Sequence, residues 1–99
     1  MKIELLYFDG CPNWAVADER IAEAAELVSR EDLTVHRRKV ATEQEAIAVG
    51  FTGSPTILID GQDPFATGDE QVGLACRVYS TPHGLAGSPS VAQLVDALS

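Results

Sequence analysis

Ile3-Glu4-Leu5-Leu6-Tyr7-Phe8-Asp9-Gly10-Cys11-Pro12-Asn13-Trp14 is the stretch on which the reading of this chain turns. Residues 3–8 form a nearly continuous apolar run of strand formers, the pattern of a central strand buried on both faces. Asp9-Gly10 ends the run, and Cys11-Pro12 opens a helix with proline at its first position. Beyond Pro12 the apolar residues Ala15, Val16, Ile21, Ala24, Ala25, Leu27 and Val28 share one helical stripe, while Asp18, Glu19, Glu23 and Glu26 lie mostly opposite. Arg30 suits the negative end of that helix.

Working outward, Leu33, Val35, Arg37 and Lys39 alternate with Thr34, His36, Arg38 and Val40. This predicts an outer strand whose basic run, His36-Arg37-Arg38-Lys39, protects a sheet edge. Thr42-Glu43-Gln44-Glu45 is a capping box that starts a short helix reaching about Val49. Gly53-Ser54-Pro55 precedes the apolar strand Thr56-Ile57-Leu58-Ile59-Asp60, which Asp60-Gly61 ends. Residues 61–72 read as an exposed loop in which Asp60, Asp63, Asp69 and Glu70 make a solvated turn without calcium-loop spacing. Leu74-Ala75-Cys76-Arg77-Val78-Tyr79 alternates as a fourth strand, and Thr81-Pro82-His83-Gly84 begins a glycine-rich loop. Ser88 or Ser90 then caps a helix bearing Val91, Leu94, Val95 and Leu98. The order β-α-β-α-β-β-α predicts an α/β fold: one four-stranded mixed sheet with three helices, in a single domain over residues 1–99.

The 99 residues suffice for one core and leave no room for a second. Seven basic against fifteen acidic residues give a net charge of −8, which argues against nucleic acid and against an anionic membrane surface. No apolar run approaches the roughly 20 residues of a membrane-spanning helix. The N-terminal run is too short for a signal peptide, so a cytoplasmic, monomeric protein is expected. No cofactor motif is seen and no cofactor is expected. The two cysteines, Cys11 and Cys76, match neither a secreted disulfide framework nor a structural zinc site. In a reducing compartment both are thiols by default, although a bridge between them stays open.

Cys11 carries the strongest chemical signal. A cysteine at a helix start faces unpaired N–H groups and the positive end of the macrodipole, and both favour the thiolate. The plain alternative is a small apolar filler. Cys76 is either a core residue between Leu74 and Val78 or a partner for Cys11. His83, after the fourth strand, is placed to assist a thiolate or else lies idle on a surface loop.

A strand ending in Cys11-Pro12 at a helix start, followed later by Gly53-Ser54-Pro55-Thr56 before an apolar strand, resembles the thioredoxin-like fold family. That resemblance implies a cis Ser54–Pro55 bond facing an active Cys11, with Pro12, Trp14, Ser54, Pro55 and Thr56 lining a substrate groove. Trp14 stands where two-cysteine members carry the resolving thiol, so Cys11 acts alone or with Cys76. The segment Leu74-Ala75-Cys76-Arg77-Val78-Tyr79-Ser80, with Gly84-Leu85-Ala86-Gly87 after it, resembles the second-cysteine region of organomercurial (alkylmercury) lyases. Those enzymes grip mercury between two distant cysteines, and Trp14 replaces the aspartate they need for protonation. Three readings follow. The first is a thiol-reactive, oxidoreductase-like redox protein, resolved by Cys76 or by a small thiol such as glutathione. The second is a non-enzymatic module binding a peptide or small thiol, and the third a soft-metal binder without lyase activity.

Overall fold

The computed structural model describes residues 1–68 and 70–99. Its elements run β1 (Lys2–Tyr7), α1 (Asn13–Val28), β2 (Thr34–Lys39), α2 (Glu43–Val49), β3 (Thr56–Ile59), β4 (Tyr79–Thr81), β5 (Gly84–Ala86) and α3 (Val91–Leu98). β1 is central in a three-stranded sheet of order β2-β1-β3, parallel to β2 and antiparallel to β3. The parallel pair requires a crossover, which α1 supplies.

Alternation along β1 explains its double burial. Ile3 and Leu5 join Ala17, Ile21 and Ala24 of α1, Ile57 of β3, and Leu94 and Leu98 of α3 in one cluster. Leu6 points the other way, into a second cluster with Val40, Ala46 of α2 and Phe51. The sheet is therefore covered on both faces, as the unbroken apolar run predicts.

Helix ends account for the rest of the packing. α1 stops at Val28 because Ser29 turns left-handed, with φ 52°, and its N–H bonds the Glu26 carbonyl. Arg30 lies outside the helix and serves another one: its Nη1 donates to the Leu98 carbonyl at 3.1 Å, at the C-terminal end of α3. Arg20 does the same at the other end, donating to Ser88 Oγ at 2.8 Å and to the Pro89 carbonyl at 3.0 Å. Two arginines flanking the stripe of α1 thus hold α3 against it at both ends. Thr42 caps α2 by accepting the Glu45 N–H, and Ser90 and Gln93 form a reciprocal capping box on α3.

The four-stranded sheet is not what forms. Residues 74–79 make no fourth strand of the main sheet; they touch it through an isolated parallel bridge between Cys76 and Ser54, and Tyr79 already belongs to β4. The strand that follows, β4, pairs with β5 in a separate two-stranded sheet, so the supposed glycine-rich loop is a hairpin. Thr81 shapes its turn, donating from Oγ1 to the Gly84 carbonyl at 2.6 Å and accepting the His83 N–H at 3.2 Å. Alternation at 74–79 arises from unlike surroundings rather than from a ladder. Leu74 packs on the second core cluster, Cys76 is exposed, and Arg77 and Tyr79 are buried. No helix among the described residues is long and apolar enough to cross a membrane.

Candidate functional site

The β1–α1 junction places Cys11. After Phe8 the chain turns so that the Cys11 N–H meets the Phe8 carbonyl at 3.3 Å. Pro12, exposed, is the N-cap of α1, with φ −76° and ψ −7°, so Cys11 stands one residue outside the helix at its N-terminal end. It is fully buried. Asp9, two residues before the cysteine, pairs with Lys39, whose Nζ lies 2.5 Å from its carboxylate. The hydrogen bond and charge of Asp9 in turn push the Lys39 ammonium above its usual range.

Cys76 comes from the other half of the chain and is joined to Cys11 by a disulfide, with Cα atoms 5.7 Å apart. That separation is ordinary for a bridge. Backbone pairing delivers it: the Ser54 N–H donates to the Ala75 carbonyl at 2.7 Å, and the Arg77 N–H to the Ser54 carbonyl at 3.0 Å. Cys76 is the exposed half of the bridge and Cys11 the buried half.

The Ser54–Pro55 bond is cis, as the resemblance implies. Its neighbours are packed inside. Ser54, Pro55 and Thr56 are all buried, and their polar groups are spent internally. Ser54 Oγ accepts the Phe8 N–H at 3.3 Å. Thr56 Oγ1 donates to the Gly53 carbonyl at 2.5 Å, and the Pro55 carbonyl accepts the Tyr79 hydroxyl. These three residues form the bed on which the Cys76 segment lies. Trp14 is half-buried and stacks on Tyr7, with ring centroids 4.3 Å apart. His83 sits exposed in the β4–β5 turn.

Beneath Cys76 is a polar network that the sequence reading missed. Arg77 is buried; its Nη1 lies 2.5 Å from Asp63 Oδ2 and 3.2 Å from Thr52 Oγ1, and its Nη2 bonds the Phe65 carbonyl at 3.1 Å. The guanidinium also covers the Tyr79 ring, 4.6 Å from its centroid. The other oxygen of Asp63 accepts the Phe65 N–H at 2.8 Å. Asp63 is therefore a structural anchor rather than part of a solvated turn, whereas Asp69 lies outside the described residues. Gly53 is needed for this approach. Its φ is 111°, and a Cβ there would lie 2.9 Å from Arg77 Cβ. An arginine inside an apolar alternation was the available signal, since a buried guanidinium requires a carboxylate.

A cavity of about 390 Å³ opens between this network and the hairpin, lined by Phe65, Glu70, Arg77, Tyr79 and Leu85 among others, and by neither cysteine. The bridge thus lies apart from the cavity, with Cys76 as its exposed residue. Among the described residues no group of three or more His, Cys, Asp or Glu side chains is placed to hold a metal ion. Half of the basic run on β2 is already paired, Arg37 to Asp18 at 2.7 Å and Lys39 to Asp9. No protein-family model, curated protein or solved structure matches the chain.

Proposed function

We propose that this is a thiol–disulfide redox protein whose working pair is Cys11 and Cys76. The observation that carries the reading is the asymmetry of the bridge: Cys76 is an exposed residue, and Cys11 is buried at a helix start. Exposure assigns entry to Cys76, in place of the attacking role that helix position alone suggests for Cys11. The Cys76 thiolate attacks one sulfur of a substrate disulfide, giving a mixed disulfide and releasing one substrate thiolate, which takes up a proton. The Cys11 thiolate then attacks the Cys76 sulfur, closes the bridge and expels the second thiolate. The substrate gains two electrons and two protons, and the protein loses them. In reverse, a small thiol such as glutathione attacks Cys76, and Cys11 departs. The unpaired N–H groups and positive end of a helix N-terminus favour that step by stabilising the departing thiolate. In a cytoplasmic setting such a bridge is transient and catalytic rather than structural.

Trapping tests the assignment. Cys11→Ser incubated with oxidised glutathione is expected to accumulate a stable mixed disulfide on Cys76, while reduced wild type passes through it to the internal bridge. A Cys11→Ser protein that takes up no glutathione would contradict the proposal.

The 5.7 Å separation also favours a second reading. Reduced, the pair offers two soft donors side by side, a set suited to a two-coordinate soft ion such as mercury.

A further inference from the structure

We infer that the buried Arg77–Asp63 pair is a positioning device that holds Cys76 beside Cys11 while the sulfurs are unbonded, and so sets how readily the bridge closes. The inference rests on the redox reading above and concerns the dithiol state of the same site.

Residues 73–78 form no regular strand, so no ladder fixes Cys76 in place. What fixes it is local. Two backbone bonds join Ala75 and Arg77 to Ser54, and the Gly73 N–H reaches the Phe51 carbonyl at 3.2 Å. Neighbouring residues of an extended segment leave the backbone on opposite sides. Cys76 therefore faces Cys11 and solvent, while Arg77 drives inward from behind it. The Arg77 and Asp63 side chains are only 5% and 13% exposed. Parting them would leave a charge in a poorly solvated place, which is strongly unfavourable. None of these contacts involves sulfur, so none of them is broken by reduction itself.

The consequence is chemical. The equilibrium between dithiol and bridge, set against glutathione, measures the effective concentration of one thiol at the other. A docked segment keeps that concentration high. An undocked one leaves Cys76 at the end of a long loop, with the entropy of closure still to be met. Asp63 acts twice, because its second oxygen accepts the Phe65 N–H and fixes the turn there.

The test equilibrates wild type, Asp63→Asn and Arg77→Lys with mixtures of reduced and oxidised glutathione, and scores the bridged fraction after acid quenching and alkylation. Each protein loses two electrons to one oxidised glutathione, which leaves as two thiols. Both variants are expected to bridge with an equilibrium constant at least about tenfold lower, equivalent to about 30 mV. Constants equal to wild type would overturn the positioning role and leave the redox reading intact. A wild type that never bridges would remove the redox reading, and the positioning role with it. Hydrogen exchange on the reduced wild type needs no variant to fold. The Ser54 and Arg77 amides are expected to stay protected, and their loss of protection on reduction would show that the sulfur bond alone holds the segment.

Discussion

Tyr79 joins the site to the hairpin, and its phenol shows what burial does to an acid. Desolvation pushes it well above its ordinary value; Arg77 pulls it down, and Asp63 and Glu70 add to the rise. In the unfolded chain a tyrosine loses its proton near pH 10, whereas folded Tyr79 keeps it. Between those two values the unfolded state binds fewer protons, so stability is intact below about pH 10 and falls as pH rises beyond it. Urea unfolding at about pH 8 and about pH 11 should register this loss, and Tyr79→Phe should flatten it. A variant with the wild-type slope would mean that the phenol is solvated. The same residue argues for neatness in the cavity wall: its hydroxyl is already committed to the Pro55 carbonyl. Gly87 is similarly constrained, since a Cβ there would lie 2.4 Å from Asn13 Nδ2. Bulk at position 87 therefore presses directly on the first residue of α1, two residues from Cys11.

At the scale of elements, α3 depends on its entrance. Ser90 accepts the Gln93 N–H at 3.1 Å, and the Gln93 side chain accepts the Ser90 N–H at 2.9 Å. Ser90→Ala should destabilise the protein by about 1 kcal/mol, read as a shift in the urea midpoint at unchanged slope. A change near zero would mean that Arg20 and the Leu94 and Leu98 contacts hold the helix unaided. The elements legible in the sequence are those whose pattern comes from local rules. The helix α1, the caps at Thr42 and Ser90, and the apolar runs of β1 and β3 appear where local pattern puts them. The buried face of α1, however, is Ala17, Ile21 and Ala24, and Ala15, Val16 and Leu27 of the expected stripe are exposed. Residues 74–79 were not legible, because alternation records which side chains are buried, not which backbone groups pair. There the burial at Arg77 comes from an ion pair with Asp63, fourteen residues away in sequence. The hairpin β4–β5 was hidden by Thr81-Pro82-His83-Gly84, which reads equally as a loop or a turn. Arg30 was read as a cap for its own helix and serves the end of α3 instead, a tertiary choice that no local rule carries.

Across the whole molecule, the sheet, its helices and the two core clusters form a body, and the segment between β3 and α3 lies against it, held at several points. One is the disulfide, and another is the Arg77 network beside it. A 65-residue separation between the cysteines makes the bridge a strong constraint on the unfolded chain, about 4 kcal/mol on the chain-entropy scale. The buried residues of the two clusters include neither cysteine, so the core does not pass through the bridge. The proposed redox reading requires that arrangement, because its bridge must close on a body already folded. The place of Cys11 just before α1 was legible from its position after β1, but its burial was not, and neither was the exposure of Cys76, which depends on the missing fourth strand. The most direct measurement takes the reduced protein, adds oxidised glutathione at neutral pH, and follows intact mass and linked peptides with time. The account predicts transient addition of one glutathione at Cys76, followed by its loss and a linked Cys11–Cys76 peptide. Glutathione that stays bound to wild-type protein, with Cys11 still a free thiol, would contradict it.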